Sequence, residues 1–158
     1  MRILGIDPGY AIVGYGVVDY DGYNFKPIGY GAITTSADMS FHNRLSTIYN
    51  DMISIIDMYN PNCVGIEKLF FNSNHKTAID VAQARGVIIL ALSQENVPIY
   101  EYTPLQIKQA ITGYGQAEKK QVMEMTRNFL KLKSVPKPDD TADALAVAIC
   151  HGHFSKMF

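Results

Sequence analysis

Apolar and polar positions change period several times along the chain. Residues 2–6 (RILGI) and 11–19 (AIVGYGVVD) are short apolar runs with the β-branched content of buried strands, and the Asp-Pro-Gly between them is turn chemistry. After Asp21-Gly22, residues 23–34 mix aromatic and β-branched side chains at strand-like spacing, so the first part of the chain predicts a meander of three antiparallel strands. Over residues 41–59 the period turns helical, with Leu45, Ile48, Tyr49, Met52, Ile53, Ile55 and Ile56 in step, and it stops before Asn60-Pro61-Asn62. NCVGIE is then a short apolar strand ending on Glu67, and residues 74–94 predict a long helix whose GVIILAL portion is apolar on every side. Such a stretch is either sunk in a core or pressed against another subunit.

Residues 97–102 predict another strand. TPLQIKQAITG opens on a Thr-Pro helix start and closes on a glycine stop. AEKKQVMEMTRNFLKL reads as an amphipathic helix with Val122, Met125, Phe129 and Leu132 on one stripe, and a last helix begins near Asp139 and carries DALAVAIC inward. Three sequential strands followed by alternating helices and strands predict an α/β layer built on a mixed sheet, with helices on both faces.

At 158 residues and 47% hydrophobic content, residues 1–158 are expected to form one domain with a substantial core. Neither a membrane-spanning run nor a signal-peptide pattern is present, so a cytoplasmic location is expected. Cys63 and Cys150 lack C-x-x-C spacing and read as reduced, buried thiols. The net charge is −1, but between Pro104 and Pro138 seven basic residues face two acidic ones. That segment carries +5 and the remainder −6, a polarity that suits either a solvated helix face or a basic surface offered to a polyanion.

The acidic residues add chemistry to this outline. Asp7 sits where the first strand runs out, so its side chain can face a cleft; taken singly it also suits an Asx-type turn. Glu67 ends an apolar strand in the same way. Asp140 and Asp143 stand three apart at a helix start and project from one face, where acids also complement the helix dipole; Asp139 suits a cap. Four converging carboxylates would repel one another unless hard cations lay between them, and Mg²⁺ or Mn²⁺ suits such oxygen ligands. Two such ions, roughly 3.5–4 Å apart, are the arrangement that cleaves phosphodiesters. His151 and His153 are two apart and read as surface residues or a weak metal contact.

GIDPG, GIEKLFFN, AQARG, GQAEKKQV and PDDTADALAVAI occur here in the order and spacing of the RuvC-type Holliday-junction resolvases, and the likeness runs from residue 2 to about residue 153. The chain resembles that family, and the resemblance implies an RNase H-like fold, a homodimer, and Mg²⁺-dependent nicking of two opposed strands at a four-way DNA junction. It implies that Asp7, Glu67, Asp140 and Asp143 are the catalytic, metal-binding carboxylates and that Phe70 stacks on a base opened at the junction centre. Lys108 and Lys119 match basic positions that meet the DNA backbone; Lys120 and Arg127 are further DNA contacts expected beside them. A partnership with the RuvA and RuvB branch-migration proteins is implied as well, and the GVIILAL helix gains weight as a dimer contact. Two other readings stay open on the residues alone: a phosphotransferase of the actin and sugar-kinase class, and a non-enzymatic module that binds DNA structures.

Overall fold

The computed structural model describes residues 1–69 and 75–156. Five strands form one sheet in the order β3-β2-β1-β4-β5. The meander is β1 (Arg2–Asp7), β2 (Ile12–Tyr20) and β3 (Phe25–Thr34), paired antiparallel, while β4 (Cys63–Glu67) pairs with β1 and β5 (Ile99–Tyr102) with β4, both in parallel. The sheet is thus mixed, as the strand pattern predicts; β5 begins two residues later than the apolar run does.

Two helices cover one face. These are α1 (Phe41–Tyr59) and α2 (His75–Gln94), which bury Ile48, Met52, Ile55, Ile56, Ala84, Ile88 and Leu92 against Leu4, Ile6, Val13, Val17, Val64 and Ile66. α1 stops where its sequence says it should. Asn60 adopts the left-handed conformation at φ 47° and its N–H donates to the Ile56 carbonyl, with Pro61 next in the chain. The apolar surround of α2 is only partly absorbed: Ile88, Ala91 and Leu92 are core, but Ile79 is 68% and Leu90 50% exposed.

The other face carries α3 (Pro104–Thr112), α4 (Lys119–Phe129) and α5 (Asp139–Ser155). α3 starts on a capping box, in which the Gln106 N–H donates to Thr103 Oγ1 and the Thr103 N–H donates to Gln106 Oε1, and it ends on Gly113 at φ 77°. In α4 the buried stripe is Val122 and Thr126, continued by Leu130, with Phe129 packed beside it. Met125, placed on the stripe by spacing, is 37% exposed, because Thr126 turns inward and satisfies its hydroxyl on the Val122 carbonyl at 2.7 Å.

α5 is buried along nearly its whole length between the sheet and α3 and α4. Side chains alternate along a strand, so Ile3, Gly5 and Asp7 of β1 and Cys63, Gly65 and Glu67 of β4 face α5. Register aligns Gly5 with Gly16 of β2 on one side and with Gly65 on the other. This row of missing side chains lets the helix backbone rest on the sheet. A Cβ on Gly5 would stand 2.0 Å from the Ala144 carbonyl oxygen, and one on Gly14 would stand 2.0 Å from that of Asp140. Thr141 Oγ1 pins the same helical turn by donating to the Gly31 carbonyl at 3.0 Å.

Burial on both sides of α5 also corrects the surface assignment of its histidines. His151 is buried and shares a 2.6 Å hydrogen bond with the Tyr102 hydroxyl; His153 Nδ1 donates to the Ala110 carbonyl at 2.9 Å. Desolvation pushes both imidazoles below the ordinary histidine value. Cys63 and Cys150 are buried free thiols, as expected. Among the described residues no helix is long and apolar enough to cross a membrane.

The glycine row makes a graded prediction. Gly5→Ala puts a methyl into helix backbone and should cost about 3 kcal/mol or more in urea unfolding, at the upper end of overpacking effects. Gly65→Ala meets nothing nearer than a Val147 methyl at 3.2 Å and the Val147 carbonyl oxygen at 3.3 Å and should cost clearly less. Equal stabilities for the two variants would contradict this seating of α5.

Candidate active site

Asp7 is the last residue of β1 and Glu67 the last of β4. Their preceding residues, Ile6 and Ile66, are register partners in a parallel pair, so the two carboxyls leave neighbouring strands, about 4.8 Å apart, on the α5 side. Gly14, the partner of Asp7 on β2, lies directly under the Asp140 backbone. The seating of α5 therefore delivers its first turns, with Asp140 and Asp143, to the end of the sheet where the two strand carboxylates emerge.

The charges report this convergence. Asp7 is pushed up to about 9, by burial first and then by the negative charges of Glu67, Asp143 and Asp140, with a proton-sharing contact to Glu67 last. Glu67 is also raised, by burial and by Asp143, while Asp7, Lys119 and Lys108 act the other way. Asp143 is raised by burial above the usual carboxylate range, against the pull of Lys119. Lys119 Nζ stands 3.4 Å from Asp143 Oδ2 and 4.0 Å from Asp139 Oδ2. Its ammonium loses hydration, yet Asp143, Asp139 and Asp7 outweigh that loss and hold it above the ordinary lysine value.

Two adjoining cavities share Glu67. One, of about 270 Å³, is lined by Glu67, Lys108, Lys119, Val122 and Asp143 among others; the second, of about 230 Å³, by Asp7, Pro8, Glu67, Lys68, Arg85 and Pro104 among others. The structure thus brings Asp7, Glu67, Asp140, Asp143, Lys108 and Lys119 to one end of the sheet. It does not bring Lys120 or Arg127 into either lining. Lys120 is exposed, and the Arg127 guanidinium is occupied by Glu124, Asn128 and the Leu132 carbonyl at the end of α4. Phe70 lies outside the described residues. Asp139 is the first helical residue, with Pro138 in the cap position, and it pairs with Lys137 and Lys119 rather than capping.

Arg85 is a site-lining residue that helical spacing does not single out. It donates to the Glu67 carbonyl at 3.4 Å and pairs with Glu101 at 3.2 Å, so it ties α2 to the ends of β4 and β5. Its signal in the sequence is a cation within AQARG, just before the apolar run of α2.

Among the described residues, no three His, Cys, Asp or Glu side chains are grouped so as to hold a metal ion as they stand. The donor set nevertheless fits a hard divalent cation: it consists of carboxylate oxygens only, and their crowding is relieved here by a proton on Asp7 and by the Lys119 ammonium. Both stand-ins are positive charges that a divalent cation would replace.

Sheet order and an acidic end on its two central strands together define an RNase H-like nuclease. The family model described as crossover junction endodeoxyribonuclease RuvC matches residues 3–151. A crossover junction endodeoxyribonuclease RuvC of Clostridioides difficile is 59% identical over 157 residues, covering 99% of this chain and 93% of that protein. Among solved structures, the Thermus thermophilus RuvC superposes with a TM-score of 0.92 at 34% identity, covering 99% of this chain and 96% of the other. The same protein in complex with a Holliday junction substrate gives 0.91 at 32% identity, with the same coverage. The chain belongs to the RuvC family of crossover junction endodeoxyribonucleases.

The raised carboxylates have a consequence for stability. A group whose pKa is higher folded than unfolded contributes stability that is full below its unfolded value and is lost as pH rises through the folded one. The metal-free chain should therefore melt at progressively lower temperature between about pH 4, an ordinary carboxylate value, and pH 9, where Asp7 titrates. Asp7→Asn should flatten that slope and melt higher than the wild type at pH 8, each ~1 kcal/mol appearing as about 2–4 °C. Scanning calorimetry in EDTA checks this; parallel slopes for the two proteins would contradict it.

Proposed function

We propose that the chain resolves Holliday junctions in recombination and repair by divalent-cation-dependent hydrolysis of one phosphodiester in each of two opposed strands, leaving 5′-phosphate and 3′-hydroxyl ends. The observation that carries this reading is the convergence of Asp7, Glu67, Asp140 and Asp143 at one end of the sheet, where burial first and then the other three charges push Asp7 up to about 9. The junction as substrate rests on family membership and on the Thermus relative's complex with a Holliday junction.

Asp7, Glu67, Asp140 and Asp143 would hold two Mg²⁺ ions, with Mn²⁺ a substitute. Ions bound there supply an activated water and neutralise charge on the departing 3′ oxygen. Asp7, central on the sheet, would have to be deprotonated to serve as such a ligand. Lys119, now paired with Asp143, would be placed to steady the scissile phosphate, with Lys108 beside it in the same cavity. Lys120 meets flanking phosphates from the exposed side of α4, and Arg127 adds charge there while its guanidinium braces the helix end. Phe70, which follows β4 closely, stacks on a base opened at the junction centre.

Two nicks related by symmetry need two sites at a fixed separation, and a homodimer provides them. Ile79 and Leu90 leave an apolar face of α2 exposed, with Gly86 open between them and a groove lined by Leu45, Tyr49, Val87 and Leu90 beside it. That face supports α2 as the seam. RuvA and RuvB as partners rest on the family resemblance, and the cytoplasmic location on the sequence pattern.

On a synthetic four-way junction the wild type should cut only with Mg²⁺ or Mn²⁺ present. Asp7→Asn should bind the junction as well as wild type but cut about a thousand-fold more slowly or worse, since it removes an interaction that matters in the transition state. Near-normal cutting by that variant, or cutting in EDTA, would overturn the assignment. Leu90→Glu should shift the chain from dimer to monomer in sedimentation; an unchanged dimer would remove α2 from the seam.

A further inference from the structure

The chain has four arginines. Three are ion-paired: Arg2 with Asp19, Arg85 with Glu101 and Arg127 with Glu124. Arg44, half-buried in the first turn of α1, has no carboxylate partner among the described residues, and that turn carries no acid. It is nonetheless held in place from several directions. Its guanidinium carbon lies 4.9 Å from the centre of the Tyr10 ring, and Tyr10 packs on Phe41 at 6.0 Å. Nε donates to Thr35 Oγ1 at 2.8 Å and Nη2 to the Thr35 carbonyl at 3.3 Å. The Thr35 hydroxyl in turn donates to the Tyr10 carbonyl, and the Thr35 N–H to the Ala11 carbonyl at 2.9 Å.

These contacts fix the side chain at a particular place. Tyr10 is three residues past Asp7 in the turn between β1 and β2, and Thr35 follows the end of β3. Arg44 therefore flanks the carboxylate end of the sheet from the α1 side, across the sheet from Lys108 and Lys119 on α3 and α4. A guanidinium that is stacked, half-desolvated and without a counter-ion is costly by itself and becomes favourable when an anion arrives. Nη1 and the second Nη2 hydrogen have no protein acceptor among the described residues, which leaves a planar donor edge of the kind that fits a phosphate. Little side-chain freedom remains to be lost when that phosphate binds.

We infer that Arg44, braced by Tyr10 and Thr35, is a contact for a phosphate of the junction backbone, on the side of the active site opposite the basic helices. The inference rests on the reading of the chain as a junction nuclease and adds to it the second side of the track. A strand crossing the carboxylates is then held at both margins, by Lys108 and Lys119 on one and by Arg44 on the other.

The test uses the full chain and a fluorescent four-way junction in EDTA, with affinity followed from ~50 to ~200 mM salt, and cleavage in Mg²⁺ measured alongside. Losing one phosphate contact lowers the slope of log affinity against log salt by about 0.9. Arg44→Gln should show that loss of slope and bind about tenfold more weakly near 0.1 M salt, while Arg44→Lys keeps the charge and the wild-type slope. A wild-type slope in Arg44→Gln, with or without weaker binding, would overturn the inference, since a bracing role alone leaves the ion count unchanged. Where the wild type binds and cuts junctions normally, that result removes Arg44 only. A wild type that neither binds nor cuts them overturns the underlying reading as well.

Discussion

The site depends on one close packing contact, the seating of α5 on the glycines of the central strands. Gly5 and Gly14 admit helix carbonyl oxygens to positions that a single methyl would occupy. That approach brings the first turn of α5 down to the level of the strand ends. With an alanine in either place the helix would ride higher, and Asp140 and Asp143 would lift away from Asp7 and Glu67. The packing of a small-residue surface thus sets the electrostatics of the site.

Those electrostatics are unfavourable for the apo protein and useful for the nuclease. Burial and mutual repulsion force a proton onto Asp7 and draw Lys119 onto Asp143. Folding tolerates the crowding because the large cores on both faces of the sheet outweigh it, with Leu4, Ile6 and Val64 on one side and Ile107, Leu145 and Ile149 on the other. In the proposed function the same crowding would favour divalent cations, whose charge would remove the penalty. Arg85 adds stiffness by fastening the Glu67 carbonyl to α2.

Much of the fold was legible because local chemistry and tertiary role agree. Short apolar runs in RILGI and AIVGYGVVD, split by Asp-Pro-Gly, marked the strands, Thr103-Pro104 and Gly113 marked both ends of α3, and a carboxylate closing an apolar strand marked Asp7 and Glu67. Other features required knowledge of neighbours. The i, i+2 spacing of His151 and His153 keeps them off a single helical face, which reads as exposure until α5 is seen to be covered on both sides. Thr126 displaced Met125 from the core because a hydroxyl that bonds its own helix is cheap to bury. The glycine row was invisible, since it exists only once β1, β2 and β4 are in register. Arg44 was silent for a similar reason: its lack of a counter-ion among the described residues shows only when the nearby acids have been placed.

In the proposed function a proton occupies Asp7 until a cation replaces it, and proton release reads this directly. Titrating Mn²⁺ into the metal-free chain at pH 7, in two buffers of different ionisation heat, measures how many protons leave per ion set bound. About one proton per chain is expected to leave the wild type, because metal ligands must deprotonate and Asp7 titrates near 9, and none to leave Asp7→Asn. Binding without proton release in the wild type, or equal release in the two proteins, would contradict the claim that the crowded carboxylates are the cation site.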